Sequence, residues 1–229
     1  MDIEQLEKKI NVVFKNKDLL LQAMTHRSYL NENRSEKRGH NERLEFLGDA
    51  VLELATTHFL YKKFPDKTEG DLTAYRSALV NTQTLAETST KLNINDNLLL
   101  SRGEAKDTGR ARQYILADTF ESIAGAIYLD QGYDAAQKFI AENIFHLIDD
   151  IIKEGSWIDS KSLFQEKAQE HSSVTPEYKS LIEEGPDHNK QFTVGVFIGK
   201  EKIAEGKGKS KQEAEQQAAK KGLDAKGWL

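Results

Sequence analysis

The spacing of hydrophobic residues changes once along this chain. From the start to about Lys153, apolar residues recur every three or four positions, which predicts helices rather than strands. The predicted helices, separated by turn residues such as Gly39, Pro65 and Gly132, cover residues 2–14, 18–29, 41–63, 69–79, 82–92, 110–129 and 133–152. We therefore expect an all-α domain over residues 1–153, followed by a short linker at 154–158.

Residues 159–229 predict a second domain with the order helix, three strands, helix. Helical spacing at 160–171 gives way to alternating apolar and polar residues at 177–183, 191–198 and 202–206, and turn residues at 185–189 and 199–201 separate these strands. Ser210 is expected to cap the last helix. In that helix Ala214, Ala218 and Gly222 form a stripe of small residues, which would let it lie close to the sheet. The fold class predicted is a two-domain α + α/β protein.

Composition excludes several classes of protein. The chain has no cysteine, which rules out a disulfide scaffold, a thiolate zinc site and a cysteine nucleophile. No apolar run approaches the roughly 18 residues of a membrane span, and the first ten residues lack a signal-peptide pattern, so we expect a cytoplasmic protein with no membrane partner. The net charge of −5, from 32 basic and 37 acidic residues, argues at first against a nucleic-acid partner.

Acidic residues share one face of each of two predicted helices. At about 100° per residue, Glu42, Glu45 and Asp49 fall within an arc of roughly 60°, and an aliphatic stripe on the opposite side is formed by Leu44, Leu47, Val51 and Leu54. Asp118 and Glu121 are three residues apart in a largely apolar stretch of a predicted helix. Spacing alone also fits solvated acidic faces. Burying two acids without a cation is costly, however, and carboxylate oxygens are the ligands that Mg²⁺ prefers.

Two acidic segments resemble those of the ribonuclease III family. The family's signature is similar to Asn41-Glu42-Arg43-Leu44-Glu45-Phe46-Leu47-Gly48-Asp49, and its second acidic segment is similar to residues 114–122. Further agreement lies at residues 23–29, 69–72, 76–80 and 103–104, and the resemblance covers essentially the whole chain. It implies the bacterial arrangement of one all-α ribonuclease III endonuclease domain followed by one α-β-β-β-α double-stranded-RNA-binding domain.

The activity implied by this resemblance is hydrolysis of double-stranded RNA. Mg²⁺, for which Mn²⁺ can substitute, assists the attack of water on the phosphodiester, and no organic cofactor is needed. The products carry 5′-phosphate and 3′-hydroxyl ends. They also have short 3′ overhangs, because two sites in a homodimer cut opposite strands. Precursors of ribosomal, messenger and transfer RNA are the expected substrates.

The resemblance also implies roles for individual residues. Family metal ligands match Glu45, Asp49, Asp118 and Glu121, of which Asp49 and Glu121 are expected to matter most for catalysis. Supporting catalytic roles are implied for Glu42 and Glu69. Phe46 matches an aromatic residue that inserts into a pocket of the partner subunit, although the sequence alone fits core packing equally well.

The second domain carries the basic residues that a nucleic acid needs. From Ser156 onward 12 basic residues balance 12 acidic ones, so the first part carries the whole net charge of −5. The charged residues in the run 206–211 are all lysines, and the run leads into the last helix. This pattern predicts a phosphate clamp, although an isolated run of this kind also fits a solvated turn. The resemblance implies RNA contacts by Ser162, Gln165, Glu166 and Gln169 in one minor groove, His188 in the next, and Lys209 and Lys211 on the phosphates between.

Two residues depart from the usual pattern of such a domain. Gln212 stands where a second lysine is frequent, which should weaken phosphate binding modestly. Gly222 stands where alanine is usual, which should cost the helix up to about 1 kcal/mol.

Three hypotheses follow from the sequence. The leading hypothesis is a Mg²⁺-dependent endoribonuclease; the second is a non-catalytic double-stranded-RNA-binding protein on the same fold, which would have lost acids that this chain retains. The third, a metal nuclease for another substrate such as DNA, is disfavoured by the second domain. No Gly-x-Ser-x-Gly pattern supports serine catalysis, and no zinc-binding spacing exists among His26, His40, His58, His146, His171 and His188.

Overall fold

The chain divides into two compact units. The computed structural model describes residues 2–157, 159–186 and 190–228. The first unit is Met1–Trp157 and the second is Ile158–Leu229, so the division falls inside the linker expected at 154–158. None of the helices in the described residues combines the length and apolar character needed to cross a bilayer.

The first unit is helical, as predicted. Its helices are α1 (Ile3–Ile10), α2 (Lys17–Ala23), α3 (Arg27–Glu32), α4 (Glu42–Lys63), α5 (Glu69–Leu79), α6 (Thr82–Lys91), α7 (Arg102–Lys106), α8 (Arg110–Gln131), α9 (Tyr133–Asn143) and α10 (Ile148–Glu154). Two 3₁₀ turns, Ile94–Asn97 and Phe145–Leu147, complete the unit. The two longest helices, α4 and α8, each have 22 residues and pack against each other at its centre.

The core forms around α8 because every residue of this helix from Ile115 to Ile127 is buried except Asp118 and Glu121. Phe120, Ile123 and Ile127 are completely buried, and the Phe120 ring stacks on Phe139 at a centroid distance of 5.1 Å. On α4 the buried positions include Leu44, Gly48, Val51, Leu52 and Ala55. Leu54 was predicted to belong to the aliphatic stripe opposite the acids. It is 58% exposed, so that prediction is wrong. The helical period of the buried face places Ala55 toward α8 and Leu54 away from it.

Two predicted helices are interrupted in the structure. The helix expected at 18–29 is split into α2 and α3, because Thr25 forms an isolated parallel bridge with Leu99 and His26 caps the start of α3. The helix expected at 133–152 is split into α9 and α10 by the 3₁₀ turn Phe145–Leu147. The five-residue helix α7 was not predicted, since it is too short to show a period.

The second unit has the predicted order α-β-β-β-α. It consists of α11 (Ser160–Ser172), β1 (Glu177–Glu184), β2 (Gln191–Ile198), β3 (Glu201–Gly208) and α12 (Lys211–Lys226). The strands form an antiparallel sheet in the order β1-β2-β3. Helix α12 packs on β2 and β3, and α11 packs on α12.

The small residues of α12 allow the close packing that their spacing predicts. Ala214, Ala218 and Gly222 are all buried. A Cβ atom on Gly206 of β3 would lie only 2.2 Å from the carbonyl oxygen of Ala214, so helix and strand are in backbone contact there. A Cβ on Gly222 would lie 2.7 Å from the ring of the fully buried Phe164. Glycine at 222 therefore provides space for this ring, which offsets its cost in helix propensity.

Candidate metal centre and nucleic-acid interface

Two glycines bring α4 and α8 into backbone contact beside the acids. A Cβ on Gly48 would lie 1.8 Å from the carbonyl oxygen of Glu121, and a Cβ on Gly125 would lie 2.3 Å from that of Leu44. Only glycine fits at either position. Because Gly48 follows Glu45 by three residues and Gly125 follows Glu121 by four, this crossing carries the carboxylates of both helices into one place. Neither glycine was singled out from the sequence; the available signal was a glycine inside each of two long helices, where it costs about 1 kcal/mol relative to alanine.

Three of the four predicted metal ligands form a compact cluster. Glu45, Asp118 and Glu121 each offer a carboxylate oxygen, and these oxygens lie within 4.8 Å of one another. All three residues are half-buried, so they are not the solvated acidic faces that spacing alone allows. Asp49, the fourth predicted ligand, is exposed and lies outside this group of three. An oxygen set of this kind fits a hard divalent cation such as Mg²⁺ or Mn²⁺.

Burial, reinforced by neighbouring negative charges, raises the pKa values of the cluster. Burial, followed by the negative charges of Asp49, Asp118 and Glu45, raises the pKa of Glu121 to about 8. Burial is also the main cause that raises the pKa of Glu45 and of Asp118. A folded protein that keeps several carboxylates this close is stabilised when a cation neutralises them.

A cleft extends from the cluster along the first unit. Glu42, Glu45 and Asp118 line it together with His26, Asn31, Glu104 and Tyr114. Glu42 is exposed and lies 3.5 Å from Arg27 and 3.8 Å from His40 Nδ1. Burial lowers the pKa of His26, so its ring is neutral at pH 7 and accepts a hydrogen bond from the Ser28 N–H at 3.3 Å.

Arg112 holds the cleft rim in place and was missed by sequence reasoning. Its guanidinium donates to the carbonyl oxygens of Glu104 at 2.5 Å and Asp107 at 3.0 Å. These bonds fix the short α7 segment, and with it Glu104, against the start of α8. The guanidinium also donates to Asn95 Oδ1 at 3.3 Å. An arginine whose partners are mostly backbone oxygens leaves no spacing pattern by which a sequence could reveal it.

Glu69 and Phe46 do not line the cleft that holds Glu45 and Asp118. Glu69 is exposed in the first turn of α5, accepts a hydrogen bond from Thr73 Oγ1 at 3.2 Å, and lines a separate groove with Leu60, Tyr61 and Leu72. Phe46 is 83% exposed, so the interpretation of this residue as core packing is wrong.

The predicted minor-groove residues share one exposed side of α11. Ser162, Gln165, Glu166 and Gln169 are all exposed and line one shallow groove. The Ser162 hydroxyl donates to Asp159 Oδ2 at 2.7 Å. His188 lies outside the described residues.

The start of α12 is capped by its own side chains. Ser210 Oγ accepts from the N–H of Glu213 at 3.1 Å, which confirms the predicted cap, and Glu213 Oε2 accepts from the N–H of Lys209 at 2.7 Å. Those two N–H groups are therefore already bonded within the chain. Lys209 and Lys211 are both exposed, and Lys211 Nζ lies 2.7 Å from Glu183. Phosphate binding at this turn would depend on lysine side chains more than on free N–H groups.

Comparisons with known proteins cover both units. Residues 16–148 match the model of a ribonuclease-III-like domain, and residues 160–225 match that of a double-stranded RNA binding motif. A protein named Ribonuclease 3 from Geobacillus thermodenitrificans (strain NG80-2) is 45% identical over 224 residues, which is 96% of this chain and 89% of that protein. One of the same name from Roseiflexus sp. (strain RS-1) is 42% identical over 226 residues, 97% of this chain and 95% of that protein.

A solved structure is similar to the first unit. The nuclease domain of ribonuclease III from Campylobacter jejuni, described for structural flexibility in a region involved in dimer formation, is 41% identical with a TM-score of 0.56. The match covers 62% of this chain and 98% of that domain.

Proposed function

Because this chain belongs to the ribonuclease III family, we propose that it is an endoribonuclease that hydrolyses double-stranded RNA with the help of Mg²⁺, for which Mn²⁺ can substitute. The observation that carries this proposal is the cluster of Glu45, Asp118 and Glu121, whose oxygens converge within 4.8 Å in a chain that also has a double-stranded RNA binding motif. The substrates we propose are precursors of ribosomal, messenger and transfer RNA in the cytoplasm.

The chemistry needs a water oxygen to bond to phosphorus while the bond to the 3′ oxygen breaks. Bound cations would lower the pKa of that water and neutralise charge on the phosphoryl oxygens. Glu45, Asp118 and Glu121 would hold the cations, with Asp49 completing the ligand set from the exposed side. Glu42 at the cleft and Glu69 would have supporting roles toward RNA or water. The proton goes to the leaving oxygen, which leaves a 5′-phosphate and a 3′-hydroxyl.

The second unit supplies the affinity for an RNA duplex. The exposed side of α11 with Ser162, Gln165, Glu166 and Gln169 would contact one minor groove, His188 the next, and Lys209 and Lys211 the phosphates between. Such a domain reads the A-form shape over about 16 base pairs with little sequence selectivity.

The proposed homodimer would use the outer face of α4. Phe46, Leu54 and Tyr61 are 83%, 58% and 72% exposed, and they form an apolar stripe along this helix. A groove beside it is lined by Leu60, Tyr61 and Leu72, and it offers an aromatic side chain an apolar place to insert. A two-fold dimer requires that one surface be self-complementary, and a stripe next to a groove meets this requirement. The Campylobacter jejuni nuclease domain also has a region involved in dimer formation.

Replacing Phe46 with alanine is expected to weaken the dimer at least about 10-fold, because an aromatic anchor at the centre of an interface carries much of its binding energy. Light scattering coupled to size-exclusion chromatography over a dilution series measures this change. The control is Val13→Ala, which removes an apolar side chain that is 75% exposed elsewhere on the unit. Equal dimer stability of Phe46→Ala and the wild type would contradict the role of Phe46.

Stabilisation by Mg²⁺ is expected to grow as the pH rises from 6 to 8. The raised pKa of Glu121 means that the cation-free fold prefers its protonated form, so the stability contributed by Glu121 is present below pH 4.5 and is lost as the pH rises toward 8. A cation replaces this proton, and its affinity rises with pH. Melting temperatures in Mg²⁺ and in chelator, at both pH values, give the comparison.

The Glu121→Gln variant separates this effect from other titrating groups. Its gain in melting temperature from Mg²⁺ should be smaller than that of the wild type, and should change less between pH 6 and 8. A gain that is equal at both pH values in the wild type would argue against a cation at this cluster.

The proposed function itself is tested by incubating the purified chain with a labelled RNA duplex, a DNA duplex of the same sequence, or single-stranded RNA, in Mg²⁺ or chelator. Cleavage of the RNA duplex only, and only in Mg²⁺, is the expected result. Binding without cleavage would favour the non-catalytic RNA-binding protein. Equal cleavage of the DNA duplex would favour a metal nuclease that acts on other substrates such as DNA.

A further inference from the structure

The register of the sheet in the second unit places an acid beside the basic turn. Glu183 of β1 pairs across the sheet with Phe192 of β2, which pairs in turn with Gly208 of β3. Gly208 precedes Lys209 and Lys211, so the end of β1 and the start of α12 lie at the same end of the sheet. Lys190 comes directly before β2 at that end.

Glu183 contacts two lysines with its two oxygens. Lys211 Nζ lies 2.7 Å from Oε1, and Lys190 Nζ lies 3.7 Å from Oε2. Both ammonium groups also lie against the Phe192 ring, at 5.7 Å for Lys211 and 5.9 Å for Lys190 from its centroid. The Ser180 hydroxyl, 3.1 Å from Oε1, donates a further bond. The hydrogen bond from Lys211 is the main cause that lowers the pKa of Glu183, so the carboxylate is charged at neutral pH.

A carboxylate held between two lysines occupies the place that a phosphate would take. Carboxylate and phosphate oxygens accept the same charge-assisted hydrogen bonds from ammonium groups. The Lys211 side chain is 58% exposed and that of Glu183 is 35% exposed, so the pair is open to solvent and weak enough to exchange partners.

We propose that Glu183 is an internal competitor of the RNA phosphate, which must leave Lys190 and Lys211 before these lysines bind the duplex, and which thereby lowers the affinity for RNA. This inference rests on the proposed binding of double-stranded RNA by the second unit. Glu183 lies on the sheet and not on the side of α11 that is proposed to contact a minor groove. The inference therefore gives a residue outside that contact surface a role in setting the affinity for RNA.

The test compares Glu183→Gln with a matched control on the same strand. Glu177→Gln removes the same charge from the other end of β1, where Glu177 pairs with Lys179 at 2.9 Å. Binding of the full chain to a labelled RNA duplex of about 20 base pairs, long enough for one such domain, is measured by fluorescence anisotropy in chelator, so that the RNA is not cut. Glu183→Gln is expected to bind about 3- to 10-fold more tightly than the wild type, and Glu177→Gln less than 2-fold more tightly, since removing a local competitor frees both lysines.

A double-variant cycle then asks whether the effect acts through Lys211. In a Lys211→Gln background, Glu183→Gln should change the logarithm of the dissociation constant for RNA by less than half as much as it does in the wild-type background. Circular dichroism and melting temperatures of all variants confirm that each is folded, which is expected because every substituted side chain is exposed or partly exposed.

Several outcomes would overturn the inference. Equal gains by Glu183→Gln and Glu177→Gln would show a general charge effect, and an undiminished gain in the Lys211→Gln background would show that Lys211 is not involved. Weaker binding by Glu183→Gln would show that this carboxylate supports the interface. In each of these three outcomes the wild type still binds the duplex, so the proposed function is unaffected. If the wild type did not bind the duplex at all, the proposed function would be overturned as well.

Discussion

Replacing Glu121 with glutamine is expected to abolish cleavage of duplex RNA, with a loss of at least about 1000-fold in rate, or roughly 4 kcal/mol of transition-state stabilisation. Burial, and then the negative charges of three neighbouring carboxylates, raise the pKa of Glu121 to about 8, so its site favours a compensating positive charge. The amide keeps the size of the side chain but removes the charge that would hold a cation. Single-turnover cleavage of a labelled duplex measures the loss.

Binding of the duplex should remain within about 3-fold of the wild type in Glu121→Gln, because we expect the proposed phosphate contacts of the second unit to dominate the affinity. Asp49→Asn should behave in the same way. Glu87→Gln is the matched control, since Glu87 is exposed on α6 and accepts a hydrogen bond from Gln83 at 3.0 Å. Retained cleavage in both Glu121→Gln and Asp49→Asn would disprove the assignment of the site.

Replacing Gly48 with alanine is expected to destabilise the first unit by about 3 kcal/mol, at the upper end for an overpacked core. The added Cβ would lie 1.8 Å from the backbone carbonyl oxygen of Glu121, and a backbone atom in a helix cannot turn aside as a side chain can. The helices α4 and α8 must separate, which also moves Glu45 away from Glu121. Cleavage by the folded fraction should therefore fall about 100-fold, the cost of a displacement near 1 Å at a catalytic site.

Chemical denaturation at equilibrium gives the stability change, and cleavage per folded molecule gives the activity change. Gly70→Ala serves as the stability control, because a Cβ there meets only Thr68 Oγ1 at 3.8 Å. It should stabilise the protein by up to about 1 kcal/mol. Gly125→Ala, with a Cβ 2.3 Å from the Leu44 carbonyl oxygen, should repeat the loss seen for Gly48→Ala. Unchanged stability in both variants would contradict the close crossing.

The sequence predicted the fold where periodicity was long and local signals agreed. The α-β-β-β-α order of the second unit follows from alternating strands and the cap at Ser210, and both are present. Periodicity was weaker where tertiary contacts compete with local ones. Thr25 leaves the helix to pair with Leu99, more than 70 residues away, and no local pattern encodes that partner.

The candidate site was predictable in its residue types but not in its geometry. Helical spacing placed Glu45 on one acidic face and Asp118 and Glu121 on another, the family resemblance implied that they are metal ligands, and the structure brings these three together. Their convergence depends on Gly48 and Gly125, whose importance lies in contacts between two helices at residues more than 70 positions apart in the chain. The pairing of Glu183 with Lys211 likewise depends on the sheet register, which the sequence leaves open.

The net charge of −5 is no argument against an RNA substrate once the charges are placed. The acids of the cluster would face cations, and the lysines at 190, 207, 209 and 211 lie near one end of the sheet in the second unit. Affinity that depends on a few lysines should fall with added salt.

End-group analysis of the cleaved duplex tests the central claim most directly. Attack by a cation-activated water predicts 5′-phosphate and 3′-hydroxyl ends on every product, formed in Mg²⁺ and absent in chelator and in Glu121→Gln. Products that end in a 2′,3′-cyclic phosphate would contradict it, because such ends arise when the neighbouring 2′-hydroxyl attacks the phosphorus in place of water.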